Sequence, residues 1–224
     1  MTKVRFIVVV FSDVQIHAAD IPKLRGYFAR KFPDARLFHN HLPGQSHDFR
    51  APRIQYRVIN THPALLAFGE GIDLIKQVFM EINELEINGK TLVSNEREVV
   101  LREEDFGLCG QYHRYRFISP WMALNQENYR EYQELDTYQR SQRLKSILKN
   151  NLKTLSKGFD YWIPEIDKLN VDGWFKPKSV NFHNQVMHCF TGEFTTNFII
   201  PDYLGLGKQS ARGFGVVLMN KEKL

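Results

Sequence analysis

The sequence predicts an α+β protein made of two consecutive units, each a sheet with helices laid against it. Three observations predict it. Short runs of β-branched and aromatic residues alternate with stretches whose apolar residues recur every three to four positions. The strand and helix signals fall in the order β-α-β-β-α-β over the first half, and a less regular version of that order follows. With 224 residues, 43% of them hydrophobic, the chain is long enough to bury two cores.

Val4 to Ser12 is a near-continuous apolar run, suited to a strand buried on both faces. A helix follows, with Asp20 at its cap, Pro22 in its first turn, and Ile21, Leu24, Phe28 and Phe32 along one face; Pro33 ends it. Arg36 to His41 and Arg53 to Asn60 read as two strands of a hairpin joined by a polar loop. Ile72, Ile75, Val78, Phe79 and Ile82 give the second helix, Gly71 to Ile82, and a strand at Glu98 to Leu101 completes the unit.

In the second half, YHRYRF from Tyr112 alternates Arg114 and Arg116 with Tyr115 and Phe117, the pattern of a strand with one basic face. Helices occupy Gln126 to Glu134 and Tyr138 to Lys157. A hairpin of Asn184 to Phe190 and Phe194 to Ile200 turns at Thr191-Gly192-Glu193, and VVLM from Val216 is the last strand. The acidic, glycine-containing stretch Glu104 to Gly110 divides the chain into residues 1–106 and 107–224. The whole is two tandem ferredoxin-like units, the second irregular, with a glycine-rich loop near the C-terminus.

Composition excludes several classes. The longest apolar run is far too short to span a bilayer and lacks the flanks of a signal peptide, so a soluble cytoplasmic protein is expected. Cys109 and Cys189 are too few and too distant for a disulfide framework or a thiolate metal site, and read as buried reduced thiols. The formal charge is +5, and six basic residues with no acidic one lie between Thr137 and Phe159, which leaves the rest of the chain slightly negative. Lys145, Lys149, Lys153 and Lys157 recur every four residues, a stripe opposite the leucine face. Such a stripe is either a solvated surface or a surface that follows phosphates, and the lack of interleaved Glu favours the second.

GLGKQSARGFG, Gly205 to Gly215, holds two Gly-hydrophobic-Gly clusters five residues apart, with Lys208 and Arg212 between them. Glycines that adopt positive φ let backbone N–H groups converge on an anion, and two cations reinforce such a cradle; the plainer reading is a turn between strands. No GKS or GKT follows, and no helix with a later acidic residue, so a Walker loop and a dinucleotide fingerprint are excluded.

His39-Asn40-His41 is the second chemical feature. On a strand the two imidazoles would share a face roughly 6 to 7 Å apart, a gap that takes a phosphodiester. Histidine titrates near neutrality, so the pair can supply both a base and an acid. With RNA as substrate the 2′-hydroxyl is a built-in nucleophile and no metal is needed. Lys31, and Arg30 beside it, can offset charge on phosphate oxygens, and Tyr27 is a weaker proton donor. Two other readings stand: a metal pair completed by His47 or Asp48, and two structural histidines.

The glycine loop, the tandem units, and FHNH followed by the strand RIQYRV resemble the two-histidine branch of the CRISPR-associated endoribonucleases of the RAMP superfamily. The resemblance implies metal-independent cleavage of CRISPR repeat RNA to a 2′,3′-cyclic phosphate and a 5′-hydroxyl, with no cofactor and with the product often retained. His39 and His41 become the acid-base pair and Lys31 the charge stabiliser. Gly205, Gly207, Lys208, Arg212, Gly213 and Gly215 become RNA contacts, joined by Lys145, Lys149 and Lys153. The partner implied is the repeat RNA, with a homodimer or a CRISPR effector complex as the open assemblies. The superfamily also contains RNA-binding subunits that do not cut, and this is the alternative function.

Overall fold

The computed structural model describes residues 1–39, 51–182 and 185–220. They form two compact units, one of residues 4–104 with 211–213, the other of residues 1–3, 105–210 and 214–224.

The first unit opens with β1 (Thr2–Phe11), α1 (Ile21–Lys31) and a one-turn α2 (Arg36–His39). Two paired strands follow, β2 (Ile54–Ile59) and β3 (His62–Phe68), then α3 (Glu70–Val78), a small hairpin of β4 (Glu84–Ile87) and β5 (Lys90–Val93), and the start of β6 (Arg97–Phe117). The sheet order is β2-β3-β1, antiparallel throughout. Ile7, Val9, Phe11, Ile54, Tyr56 and Leu65 point to α1 and α3, where Leu24, Phe28 and Ile75 are fully buried. The other face is buried too, through Phe6, Val8, Leu66 and Phe68, which is why these strands read as continuous apolar runs. Asp20 stands at the N-cap of α1, but its carboxylate accepts from the His17 N–H and from Asn88 rather than from the helix.

The β-α-β-β-α-β order holds, with the middle strands displaced. The expected strand at Arg36 to His41 is helix as far as His39, and the hairpin is β2 with β3, turning at Asn60 and Thr61, both at positive φ. That pair of left-handed residues matches the right-handed strand twist across a two-residue turn. Pro63 and a non-alternating run hid β3, a strand buried on both faces.

The second unit contains the rest of β6, α4 (Gln126–Glu134), α5 (Thr137–Gly158), β7 (Val171–Phe182), β8 (Gln185–Ile199) and the short β9 (Val217–Met219). Its sheet order is β7-β8-β6-β9, all antiparallel. Asp136 and Gln139 start α5 with a reciprocal cap, and Leu144, Leu148, Leu152 and Leu155 bury one face, each worth about 2 kcal/mol. Tyr115, Phe117, Trp121 and Phe194 fill the core, with Phe117 and Trp121 stacked at 5.2 Å. Arg114 and Arg116 are exposed on the opposite side of β6, as their alternation required.

One expectation fails here. β8 runs straight through Thr191-Gly192-Glu193 and pairs with β7 from Val171 to Phe182. Gly192 marks a close approach, since a Cβ there would lie 2.1 Å from the Trp174 carbonyl oxygen. β7 escaped notice because it carries Gly173 and Pro177, which an edge strand tolerates. β6 is one continuous strand across the stretch Glu104 to Gly110, and the two units divide within it, between residues 104 and 105. The glycine-rich loop contains a single helical turn, Ser210–Arg212. Among the described residues no helix is long and apolar enough to cross a membrane. Cys189 is buried, whereas Cys109 is only partly so.

Candidate nucleic-acid interface and active site

α1 is an eleven-residue helix with four cations, Lys23, Arg25, Arg30 and Lys31, and no acidic residue. Its buried face holds Phe28, whose ring packs 5.4 Å from Phe38 and 5.7 Å from Tyr56, and Phe32 lies 5.5 Å from Phe38. Phe38 is fully buried, so this cluster fixes the chain one residue before His39, which closes α2. Lys31 ends α1 and is exposed, its ammonium 5.6 Å from the Tyr27 ring centroid. The segment between Lys31 and His39 is thus a short turn anchored from below by aromatic rings. His41, with His47 and Asp48, lies outside the described residues. His39 sits on a helical turn, so the strand spacing does not set the distance between the two imidazoles.

The other candidates on α1 are tied up. The Tyr27 hydroxyl donates to the Glu84 carbonyl at 2.6 Å and its ring is buried, so it is not a proton donor to a substrate. Arg30 reaches Glu86 at 3.7 Å across an exposed surface. Arg25 was not singled out from the sequence. Burial, and then the charge of Arg25, depress the pKa of Arg212. The signal available was the acid-free charge of this helix. Tyr56 is wholly buried and its hydroxyl has no hydrogen-bond partner among the described residues; burial pushes its pKa up, with Arg25 opposing. Among the described residues no group of three or more His, Cys, Asp and Glu is arranged to hold a metal ion.

The glycine-rich loop is built differently from the expected cradle. Gly207, Gly213 and Gly215 do adopt positive φ, of 80°, 84° and 63°. What approaches them is protein. A Cβ on Gly207 would lie 2.7 Å from Trp121 Nε1 and 2.9 Å from Asn151 Oδ1, the two ends of a buried hydrogen bond. On Gly213 it would meet Ile21 of α1 at 2.3 Å, and on Gly215 the Leu206 carbonyl oxygen at 2.0 Å. Gly205 is buried and bridges to Val216. Four of the loop's N–H groups are also spent internally: Leu206 donates to Gly215, Lys208 to Met122, Phe214 to Gln209 and Gly215 to Pro120. The glycines therefore serve packing, and the backbone is not an open anion cradle at these positions. The side chains that reach outward are those of Lys208, which is exposed, and Arg212, which is half-buried.

On α5 the lysine stripe is real. Lys157 is exposed, Lys145, Lys149 and Lys153 are partly so, and Lys145 donates to Asp172 at 2.6 Å.

The chain is similar to known proteins over nearly its whole length. Sequence models of the Cas6b N-terminal domain and the Cas6b C-terminal domain match residues 2–105 and 107–219. An uncharacterized protein of Methanocaldococcus jannaschii is 35% identical over 146 residues, 65% of this chain and 99% of that protein. A crystal structure of Cas6b superposes with a TM-score of 0.90 at 35% identity, covering 97% of this chain and 99% of the other. A second, of the CRISPR RNA processing endoribonuclease Cas6b, gives 0.79 at 31% identity, over 98% and 100%. With both domain models matched and together spanning almost the whole chain, this protein belongs to the Cas6b family.

Proposed function

We propose that this chain is an endoribonuclease that cleaves CRISPR repeat RNA without a metal ion. The observation that carries the reading is the junction of α1 and α2. An exposed cation, Lys31, and His39 stand at the two ends of a turn pinned by Phe28, Phe32 and Phe38, in a family of which one solved member is a CRISPR RNA processing endoribonuclease.

In the proposed reaction the 2′-oxygen of the nucleotide before the cut attacks the adjacent phosphorus. One histidine of the pair His39 and His41 takes the 2′-hydroxyl proton while the other gives a proton to the departing 5′-oxygen. The new P–O bond closes a 2′,3′-cyclic phosphate and the broken one frees a 5′-hydroxyl, so atoms and charge balance without water or metal. Lys31 offsets the charge that gathers on the non-bridging oxygens. Lys208 and Arg212 grip phosphates by their side chains, and Lys145, Lys149 and Lys153 extend the cationic surface. Specificity then comes from single-stranded or loop bases and from phosphate positions, because side chains cannot read the deep groove of A-form RNA.

Cleavage of a repeat transcript is expected to persist in EDTA and to stop when the scissile nucleotide carries a 2′-deoxy sugar. A metal-dependent hydrolase would do the reverse on both counts, and an RNA-binding subunit would bind tightly in a salt-dependent way without turnover.

A further inference from the structure

The lysine row of α5 has an aromatic residue at each end. Lys145, Lys149, Lys153 and Lys157 span about 18 Å of helix, with roughly 6 Å between neighbours. At one end Lys157 lies 5.9 Å from the ring centroid of Trp162, which is 76% exposed. At the other, Lys145 holds Asp172, two residues before Trp174 on the same face of the edge strand β7. Trp174 is 62% exposed, with the Lys176 ammonium 4.6 Å from its ring centroid. The third tryptophan of the chain, Trp121, is fully buried.

A single exposed aromatic residue needs no explanation. Here both exposed indoles of the protein flank the same acid-free helix, and each has a lysine over its ring. An acidic peptide would use the lysines and leave the indoles idle. A paired helix would offer phosphates but keep its base faces stacked inside. An unpaired strand uses both, since base faces stack on indole and phosphates pair with cations.

We propose that this surface is a track for an unpaired stretch of RNA, with phosphates on the α5 lysines and bases stacked on Trp162 and Trp174. The identity of that RNA as part of the repeat transcript rests on the proposed function; the track itself does not. The test is binding of a short fluorescein-labelled oligouridylate to the full chain, followed by anisotropy and by quenching of tryptophan fluorescence. Wild-type binding is expected with quenching, and W162A and W174A each to weaken it at least about fivefold. W162F and W174F, which keep a stacking ring, should stay close to wild type and so separate stacking from misfolding. K149A with K153A should flatten the salt dependence by a slope of about 1.4.

Unchanged affinity in the W162A/W174A double variant would overturn the proposal. So would equal binding of an RNA duplex of the same length, or equal competition by polyglutamate. If the tryptophans govern oligouridylate binding but the protein cuts no repeat transcript, the track stands and the cleaving function falls. Cutting with no tryptophan effect removes the track alone.

Discussion

Replacing Gly215 with alanine separates a packing loop from a ligand loop. Gly215 has φ of 63°, where an alanine is strained by roughly 1 to 2 kcal/mol. Its Cβ would stand 2.0 Å from the Leu206 carbonyl oxygen, a backbone atom that cannot swing aside. The strand-like contact must therefore open, and with it goes the bond from the Leu206 N–H to the Gly215 carbonyl, at 2.9 Å, worth about 1 kcal/mol. Together these come to about 2 to 3 kcal/mol. In a chain of this length that lowers the apparent melting temperature by about 4 to 12 °C. Thermal unfolding followed by circular dichroism measures it directly. Lys208→Ala serves as the contrast, because an exposed side chain should cost RNA affinity and leave melting nearly unchanged. If G215A melts like wild type but loses RNA binding, the glycines face the ligand after all and the packing assignment is wrong.

Lys31→Ala should lower the single-turnover cleavage rate about ten- to a hundredfold with little change in RNA affinity, as removal of a charge stabiliser does; a pure affinity loss would make Lys31 a binding residue only. Asp172→Asn should tighten oligouridylate binding and steepen its salt dependence by a slope of about 0.7, because it frees Lys145 and removes a carboxylate from the track. The same carboxylate gives a pH signature. The hydrogen bond from Lys145, then that from the Gly173 N–H and the Lys145 charge, hold Asp172 below its ordinary pKa. A depressed acid stabilises the fold above its unfolded pKa and loses that contribution as pH falls through the folded one. Melting of wild type and D172N should therefore differ at neutral pH and converge below about pH 4; a difference that grows in acid would reverse the sign.

The fold was legible wherever periodicity and punctuation agreed. α4 and α5 fall within a residue of the ranges that their caps and leucine spacing predict, and Arg114 and Arg116 face solvent as their alternation requires. The missed strands β3 and β7 and the misplaced turn in β8 share one cause: Pro63, Pro177, Gly173 and Gly192 look like breaks, yet each lies within a strand. An edge strand without a ladder bond at proline, or a glycine over a neighbouring carbonyl, looks like a turn in one dimension. Composition of the Gly205 to Gly215 loop announced positive φ correctly. It could not say that the space left by each missing Cβ is filled by Trp121, Ile21 and Leu206 rather than by a ligand. The exposure of Trp162 and Trp174 is likewise invisible in sequence, since an indole is more often buried.

The most direct measurement is the chemistry of the cut ends, read by mass spectrometry on products formed in EDTA. A 2′,3′-cyclic phosphate on the upstream fragment and a 5′-hydroxyl on the downstream one are expected, with both absent for His41→Ala. Products bearing a 3′-hydroxyl and a 5′-phosphate would contradict attack by the neighbouring 2′-oxygen.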